Sequence, residues 1–333
     1  LRLRKAFNSI LIYFDHSALF ETKIDITITQ KKITKQAGVN YMKGVNLLKI
    51  TVLMDDAVPG NTDLVAQHGA SFFLEIKAEK EKTCVLVDVG QSSKALFHNM
   101  SRLNIDPESI DILVLTHCHY DHTGAVVDLL RASKKKDLPI IAHPTLFRPH
   151  FACKPVISYI GVPQGNGPLE IEAAGGRLLL SKDPVQVREG VIVLGEIPRK
   201  TDFEEPSIKA ITIEEGHVKK DMLFDDTALA VNVEGHGIVI VTGCSHSGIV
   251  NITLHAKDIF SGIPIEGILG GFHLKDADPE HIEKTVSQLA SLKPRWIAAG
   301  HCTGFDAMVA FKNYFGDDFT PLHAGKTVTI PKS

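Results

Sequence analysis

The segment Thr116-His117-Cys118-His119-Tyr120-Asp121-His122-Thr123-Gly124 puts three imidazoles and a carboxylate within six residues. Imidazole and carboxylate groups are suitable ligands for zinc, iron or manganese. His117 and His119 cannot share a helix face, but at a strand end or in a tight loop both can turn toward one ion. Asp121 and His122 then offer ligands to a second ion close by, as two-metal sites require. Asp121 is also placed to orient or deprotonate a metal-bound water, which makes it the candidate catalytic residue. Gly124 lets the chain turn tightly into the next helix.

Such a cluster needs a frame. The apolar run Ile112–Leu115 precedes it and a helical pattern, Thr123–Lys135, succeeds it. From residue 49 onward the pattern is that of an α/β domain. Short β-branched runs predict strands at Leu48–Met54, Ser71–Ile76, Cys84–Val87, Ile140–Ala142, Leu178–Leu180 and Val191–Leu194. Further runs lie at Ala228–Val233, Ile238–Val241, Ile265–Leu269 and Trp296–Ala299. Ser92–Leu103, Ile249–Phe260, Pro279–Leu292 and Asp306–Phe315 each place apolar residues on one helical face. Strands grouped as hairpins, then alternating with helices, then repeating that plan after about residue 226 predict two mixed sheets with helices outside them. Residues 144–225, rich in Pro and Gly, read as an inserted cap over one end of the core.

Composition bounds the function. The 333 residues are 44% hydrophobic and 23% charged, with a net charge of −3. That excludes a disordered, collagenous or coiled-coil chain. No apolar run approaches the ~18 residues of a membrane span, and no basic excess marks a nucleic-acid partner. The charge is uneven: residues 1–48 carry eight Lys/Arg against three Asp/Glu, a sum of +5, so the remainder sums to −8. Residues 1–48 therefore read as a basic N-terminal extension, non-native or disordered, ahead of a domain spanning 49–330. Met42 stands just before the first convincing strand. Five widely spaced cysteines without a CxxC pair are a poor disulfide framework and predict a reducing, cytoplasmic setting. A homo-oligomer is compatible with all of this.

HxHxDH after a core strand resembles the metallo-β-lactamase superfamily over residues 49–330. The resemblance implies an αββα sandwich with one or two divalent ions (Zn, Fe, Mn or Mg) at one edge. It also implies that Asp88, ending an early strand in Val87-Asp88-Val89-Gly90, is a structural residue that steadies the metal loop. Further ligands must come from later in the chain. His246 in Gly243-Cys244-Ser245-His246-Ser247-Gly248 and His301 in Gly300-His301-Cys302-Thr303-Gly304 both sit in strand–loop–helix settings and are assigned as ligands. His273, in Gly270-Gly271-Phe272-His273-Leu274, is assigned to substrate contact, with ligation as its rival role. The remaining histidines, His143 and His150 among them, default to ordinary roles. The chain departs from the superfamily where many relatives carry a TGD with a bridging aspartate: it reads Thr242-Gly243-Cys244. Cys244 and Asp226 are the two candidates to fill that place.

Several strings narrow the branch: Asp55-Asp56, His68-Gly69-Ala70-Ser71, Gly195-Glu196-Ile197-Pro198-Arg199, Asp202-Phe203-Glu204, Gly-Cys-Ser-His-Ser-Gly, Gly-Gly-Phe-His-Leu and Gly-His-Cys-Thr-Gly, in that order. Together they resemble the archaeal-type dihydropterin-methyl ribofuranosylaminobenzene phosphate synthase family. The resemblance implies a transfer that forms a C–N bond. The amine of an aminobenzene ribofuranosyl 5′-phosphate displaces diphosphate from a dihydropterin methyl diphosphate, a step in methanopterin-type cofactor synthesis. On that reading the partners are a small-molecule pterin and phosphorylated substrates. Arg199 would clamp a phosphate, Glu196 would position the pterin or the amine, and the cap would exclude water. A metal-dependent hydrolase of phosphoesters or related bonds would use the same ligands.

Overall fold

The computed structural model describes residues 43–206 and 208–331. Two seven-stranded sheets dominate it. The first runs, edge to edge, through Thr327–Ile330, Leu47–Met54, Ser71–Ala78, Glu81–Val87, Ile112–Val114, Leu138–Ala142 and Gly176–Leu180. The second runs through Phe319–Pro321, Trp296–Gly300, Ile265–Gly271, Gly237–Thr242, Ala228–Val233, Val191–Val193 and Val185–Arg188.

The period-2 geometry of a strand explains why these runs are almost continuously apolar. In Leu47–Met54, Leu48, Ile50 and Val52 face the other sheet, while Leu53 and Met54 pack outward under helices. In the second sheet, Val239 and Val241 point inward and Ile238 and Ile240 outward. Both faces of each sheet are thus covered. Helices Ser93–Arg102, Val126–Ser133 and Pro168–Ala173 cover the first, and Ile249–Ile259, Pro279–Ser291 and Phe305–Phe315 the second. The result is the αββα sandwich expected from the sequence. Burying each Leu, Ile, Val or Phe in these three cores contributes roughly 1.5–3 kcal/mol relative to exposure.

Three expectations are corrected. The basic extension does not reach residue 48: the first strand starts at Leu47, and Val45, fully buried, bridges Val233. Residues 1–42 lie outside the described residues. Residues 144–225 are not one cap: Gly176–Leu180 closes the first sheet, and Val185–Arg188 and Val191–Val193 close the second. The excursions on either side meet in a separate four-stranded sheet, where Ala210–Glu214 pairs with His150–Ala152. The helical pattern over 123–135 is broken, into a one-turn helix Tyr120–Thr123 and a longer one, Val126–Ser133. At the break Gly124 lies so close to the Gln91 backbone that a Cβ would stand 2.2 Å from its carbonyl oxygen.

Among the described residues no helix is long and apolar enough to cross a membrane.

Candidate metal centre

Sheet order brings the chemistry to one edge. Gly237–Thr242, Ile265–Gly271 and Trp296–Gly300 are adjacent and parallel, with Thr242 level with Gly270 and Gly271 level with Gly300. His246, His273 and His301 all lie in the turns that leave their carboxyl ends. The first sheet delivers the His117–His122 loop from the end of Ile112–Val114. Thr227 N donates to Thr116 O across the two sheets, 3.0 Å, and fixes the gap between these loops. Asp88, Ser245, His273 and His301 have φ between 45° and 60°. Left-handed backbone in non-glycine residues is costly and collects at functional sites.

Two donor groups result. In one, His117 Nε2 lies 3.0 Å from His119 Nδ1, which lies 3.2 Å from His246 Nε2. In the other, Asp121 Oδ2 is 3.5 Å from His122 Nε2 and 3.3 Å from His301 Nε2, and those two nitrogens are 3.3 Å apart. Tetrahedral ligands at the usual ~2.0–2.1 Å zinc–nitrogen and zinc–oxygen distances stand about 3.3 Å from one another. Both groups match that spacing. The sequence-assigned ligands His117, His119, Asp121, His122, His246 and His301 are thus brought together, and all are buried.

The surroundings select which nitrogen faces each group. Asp88, fully buried, accepts from Thr116 N (2.8 Å) and Thr116 Oγ1 (2.7 Å), and its Oδ2 lies 2.7 Å from His122 Nδ1. A carboxylate only accepts, so the proton sits on His122 Nδ1 and Nε2 is left as a ligand. Thr116 Oγ1, with its own proton committed to Asp88, accepts from His117 Nδ1 at 3.0 Å. His301 Nδ1 is held in the same way by Asp56 Oδ1 at 2.8 Å. Gly243 packs on this arrangement: a Cβ there would stand 2.2 Å from Thr116 Oγ1 and 2.7 Å from Asp88 Oδ2.

Electrostatics suit a cation. Burial holds the His117, His119 and His246 imidazoles well below the usual histidine range, and therefore neutral. Burial also opposes ionisation of Asp121, but His122 and His301 outweigh it and keep the carboxyl well below its ordinary range. His122 and His301 are raised despite burial: Asp121 and Asp88 act on the first, and Cys302, Asp121 and Asp56 on the second. The neutral His117, His119 and His246 imidazoles and the ionised Asp121, already desolvated and oriented, are what a divalent ion binds, whereas His122 and His301 would give up a proton to it.

Five residues around the donor groups were missed as site residues: His150, Asp221, Arg148, His68 and Asp56. His150 is fully buried, with Nε2 2.9 Å from His119 Nε2 and Nδ1 2.7 Å from Asp221 Oδ2. Asp221 in turn takes a forked pair from Arg148, at 2.6 and 3.0 Å. Because Asp221 accepts from His150 Nδ1, His150 Nε2 accepts from His119 Nε2–H, which leaves His119 Nδ1 free to face the donor group. His68 is the half-exposed member, with Nε2 3.4 Å from Asp121 Oδ2 and Nδ1 3.0 Å from Asp56 Oδ2. Asp56 thereby links His68 to His301.

The substrate-binding assignments fare differently. Arg199 is not a free phosphate clamp: it donates to His246 O (2.9 Å) and Met222 O (2.8 Å) and so braces the loop that carries His246. Glu196 lies 3.1 Å from His143 Nε2 and 3.4 Å from Lys182 Nζ, neither of which belongs to the donor groups. His273 faces the centre, its ring centroid 4.3 Å from that of His246. Asp226 is pinned by Ser247, whose N donates to Oδ2 at 2.8 Å and whose hydroxyl donates to the same oxygen.

Residues 66–301 match the sequence profile of the metallo-beta-lactamase superfamily. The chain belongs to the metallo-β-lactamase superfamily. It is 38% identical over 287 residues to the 7,8-dihydropterin-6-methyl-4-(beta-D-ribofuranosyl)-aminobenzene-5'-phosphate synthase of Methanocaldococcus jannaschii, covering 85% of this chain and 97% of that one. An uncharacterised protein of the same organism is 32% identical over 268 residues, covering 80% of this chain and 94% of that one. Among solved structures, Tm1679, described as a metal-dependent hydrolase of the beta-lactamase superfamily, superposes with a TM-score of 0.70 at 25% identity. That match covers 84% of this chain and 98% of Tm1679. Membership in the metallo-β-lactamase superfamily implies divalent metal binding, and the two donor groups fit it.

Proposed function

We infer that this protein is a metal-dependent transferase that joins an aminobenzene ribofuranosyl 5′-phosphate to a dihydropterin methyl diphosphate. The observation that carries this reading is the 38% identity to the named synthase, which covers 85% of this chain and 97% of that protein. In the reaction a C–N bond forms between the arylamine and the pterin methyl carbon. The C–O bond to diphosphate breaks, diphosphate leaves with the electron pair, and the nitrogen gives up a proton.

Held by His117, His119 and His246 on one side and Asp121, His122 and His301 on the other, divalent ions would neutralise the charge that builds on the departing diphosphate. The chain's own residues supply the rest. His68, half-exposed beside Asp121 and steadied by Asp56, is placed to take the amine proton. Asp121, ionised and in reach of His68, keeps a negative charge beside that proton. His273 stands beside His246, where a pterin or phosphate group would approach. The four-stranded sheet brings His150 against His119 and helps exclude water, which would otherwise compete with the amine. The expected setting is a reducing cytoplasm, in keeping with the five free cysteines.

A metal-dependent hydrolase is the second reading, favoured by the similarity to Tm1679. Incubating the metal-loaded protein with both substrates separates the two. Coupled product with release of one diphosphate per bond formed is the expected result. Release of phosphate from generic esters without coupling would overturn the transferase in favour of the hydrolase.

A further inference from the structure

Two buried carboxylates, Asp221 and Asp225, act on the loop that carries His117 and His119, and one guanidinium holds both. Asp225 Oδ2 accepts from Cys118 N at 2.8 Å, between the two ligands. Asp221 Oδ2 accepts from His150 Nδ1 at 2.7 Å, and His150 Nε2 in turn meets His119 Nε2 at 2.9 Å. Arg148 donates from Nε and Nη2 to the two oxygens of Asp221, and its Nη2 also lies 2.9 Å from Asp225 Oδ1. Its Nη1 donates to Thr145 O at 3.1 Å. The Arg148 side chain is only 11% exposed, so this cation is spent inside the protein rather than offered to a ligand.

The chain is shaped to bring both carboxylates to that one cation. Leu223, midway between them, has a left-handed φ of 49°, and its N donates to Asp221 Oδ1 at 2.8 Å. A planar fork does more than balance charge: it fixes the plane of the carboxylate it grips, which a lysine cannot do. Held in that plane, Asp221 keeps Oδ2 on His150 Nδ1. Free to turn, it would let His150 exchange its ring proton between the two nitrogens. His119 could then carry its own proton on Nδ1, the nitrogen that faces His117 and His246.

We propose that Arg148 is the positioning residue of the histidine trio: through Asp221 and His150 it keeps the His119 proton on Nε2, and through Asp225 it fixes the backbone between His117 and His119. The proposal rests on the metal-binding part of the function inferred above, but not on the identity of the substrates.

Two measurements on the full chain test it. Nuclear magnetic resonance of the metal-free protein, with isotope-labelled histidine, reads which nitrogen of each ring carries the proton. Chelator competition with zinc reads the affinity of each donor group. The native protein should hold His119 as the single Nε2–H form. Arg148→Met should turn it into a mixture and lower the zinc affinity of the trio about 10–100-fold, leaving the group Asp121–His122–His301 unchanged. Arg148→Lys keeps the charge without the fork, so it should regain most of any lost thermal stability but neither the single His119 form nor the affinity. That variant decides the matter if Arg148→Met fails to fold. Native affinity with a single His119 form in Arg148→Lys would overturn the proposal, because charge alone would then suffice. So would weaker zinc binding with the His119 proton unmoved, or equal weakening of both groups, which general loosening also produces. A native protein that binds no zinc would overturn the metal reading, and the His119 proton alone would then decide on Arg148. Failure of substrate coupling by itself would leave both measurements unchanged.

Discussion

Asp88→Asn is the sharpest test of how the centre is held. The carboxylate of Asp88 accepts from Thr116 N, from Thr116 Oγ1 and from His122 Nδ1, at 2.8, 2.7 and 2.7 Å. An amide of the same shape keeps one oxygen, which serves Thr116 N. Its NH₂ then faces two groups that were donors. To avoid N–H against N–H, His122 must move its proton to Nε2, the atom that faces Asp121, His301 and Cys244. That ligand is lost, and loss of outer-shell partners of metal-bound histidines typically lowers metal affinity 10–100-fold. By the same factors the cost is about 1.4–2.8 kcal/mol of metal binding free energy, at about 1.4 kcal/mol per tenfold change. Fold loss should be smaller, because the site stays filled by an isosteric side chain. The measurement is a chelator-competition titration of zinc on native and variant protein, with melting curves of both metal-free forms. The second group, which contains His122, should weaken; the trio His117–His119–His246 is disturbed too, through the Thr116 hydroxyl that loses Asp88 as acceptor and faces His117 Nδ1. A second group as tight as in the native protein, or overall affinity within twofold of native in a folded variant, would refute the assignment of His122 Nε2 as a ligand.

Two more outcomes rest on named contacts. Replacing His150 by Phe leaves His119 Nε2 and Asp221 without their shared partner inside the protein, where an unmade buried hydrogen bond costs about 1–3 kcal/mol. Zinc affinity of the histidine trio should drop about 10–100-fold in the same titration, with His150→Gln recovering part of it. Glu204 caps the helix Ile249–Ile259 by accepting from Val250 N and Asn251 N, both at 2.8 Å, yet burial pushes its carboxyl up to about 7. Its folded value lies above the ordinary 4.5, so its contribution to stability is full below about 4.5 and is lost as pH rises through about 7. Denaturant unfolding of Glu204→Gln across pH 4–8 should be flatter than that of the native protein; identical curves would refute the role.

What could be read from the sequence depended on how local the signal was. HxHxDH is legible because six consecutive residues carry it, and His246 and His301 because strand, tight turn and helix recur around them. The two sheets were legible because both their faces are buried, so their strands stand out as apolar runs. The four-stranded sheet was not: His217–Lys220 is exposed at all four positions and shows no alternation. Edge strands Thr327–Ile330 and Phe319–Pro321 were missed for the same reason, being short and partly exposed. His150 lies on that small sheet, and its partner Asp221 is 71 residues away. Only tertiary pairing shows the contact. Arg199 was misread because its partners are backbone carbonyls, which leave no mark on side-chain types. His68 and Asp56 sit in an irregular stretch where neither period applies, and their link to His301 spans 245 residues.

The same ligands would serve a transferase or a hydrolase, so the choice lies in what stands around them. Hydrolysis needs a water held at the ions and a base beside it. Transfer needs the opposite, a dry pocket and a base turned toward an incoming amine. Asp121 is buried, points at His301 and is held ionised by its neighbours, so it is a weak base at neutral pH. His68 is the half-exposed group at the edge of the centre, anchored through one nitrogen to Asp56 and presenting the other toward Asp121. A base at the rim rather than among the ligands reaches a nucleophile that arrives with the substrate more readily than one already bound at the ions. On the transferase reading proposed above, that placement gives the incoming amine a base outside the ligand set.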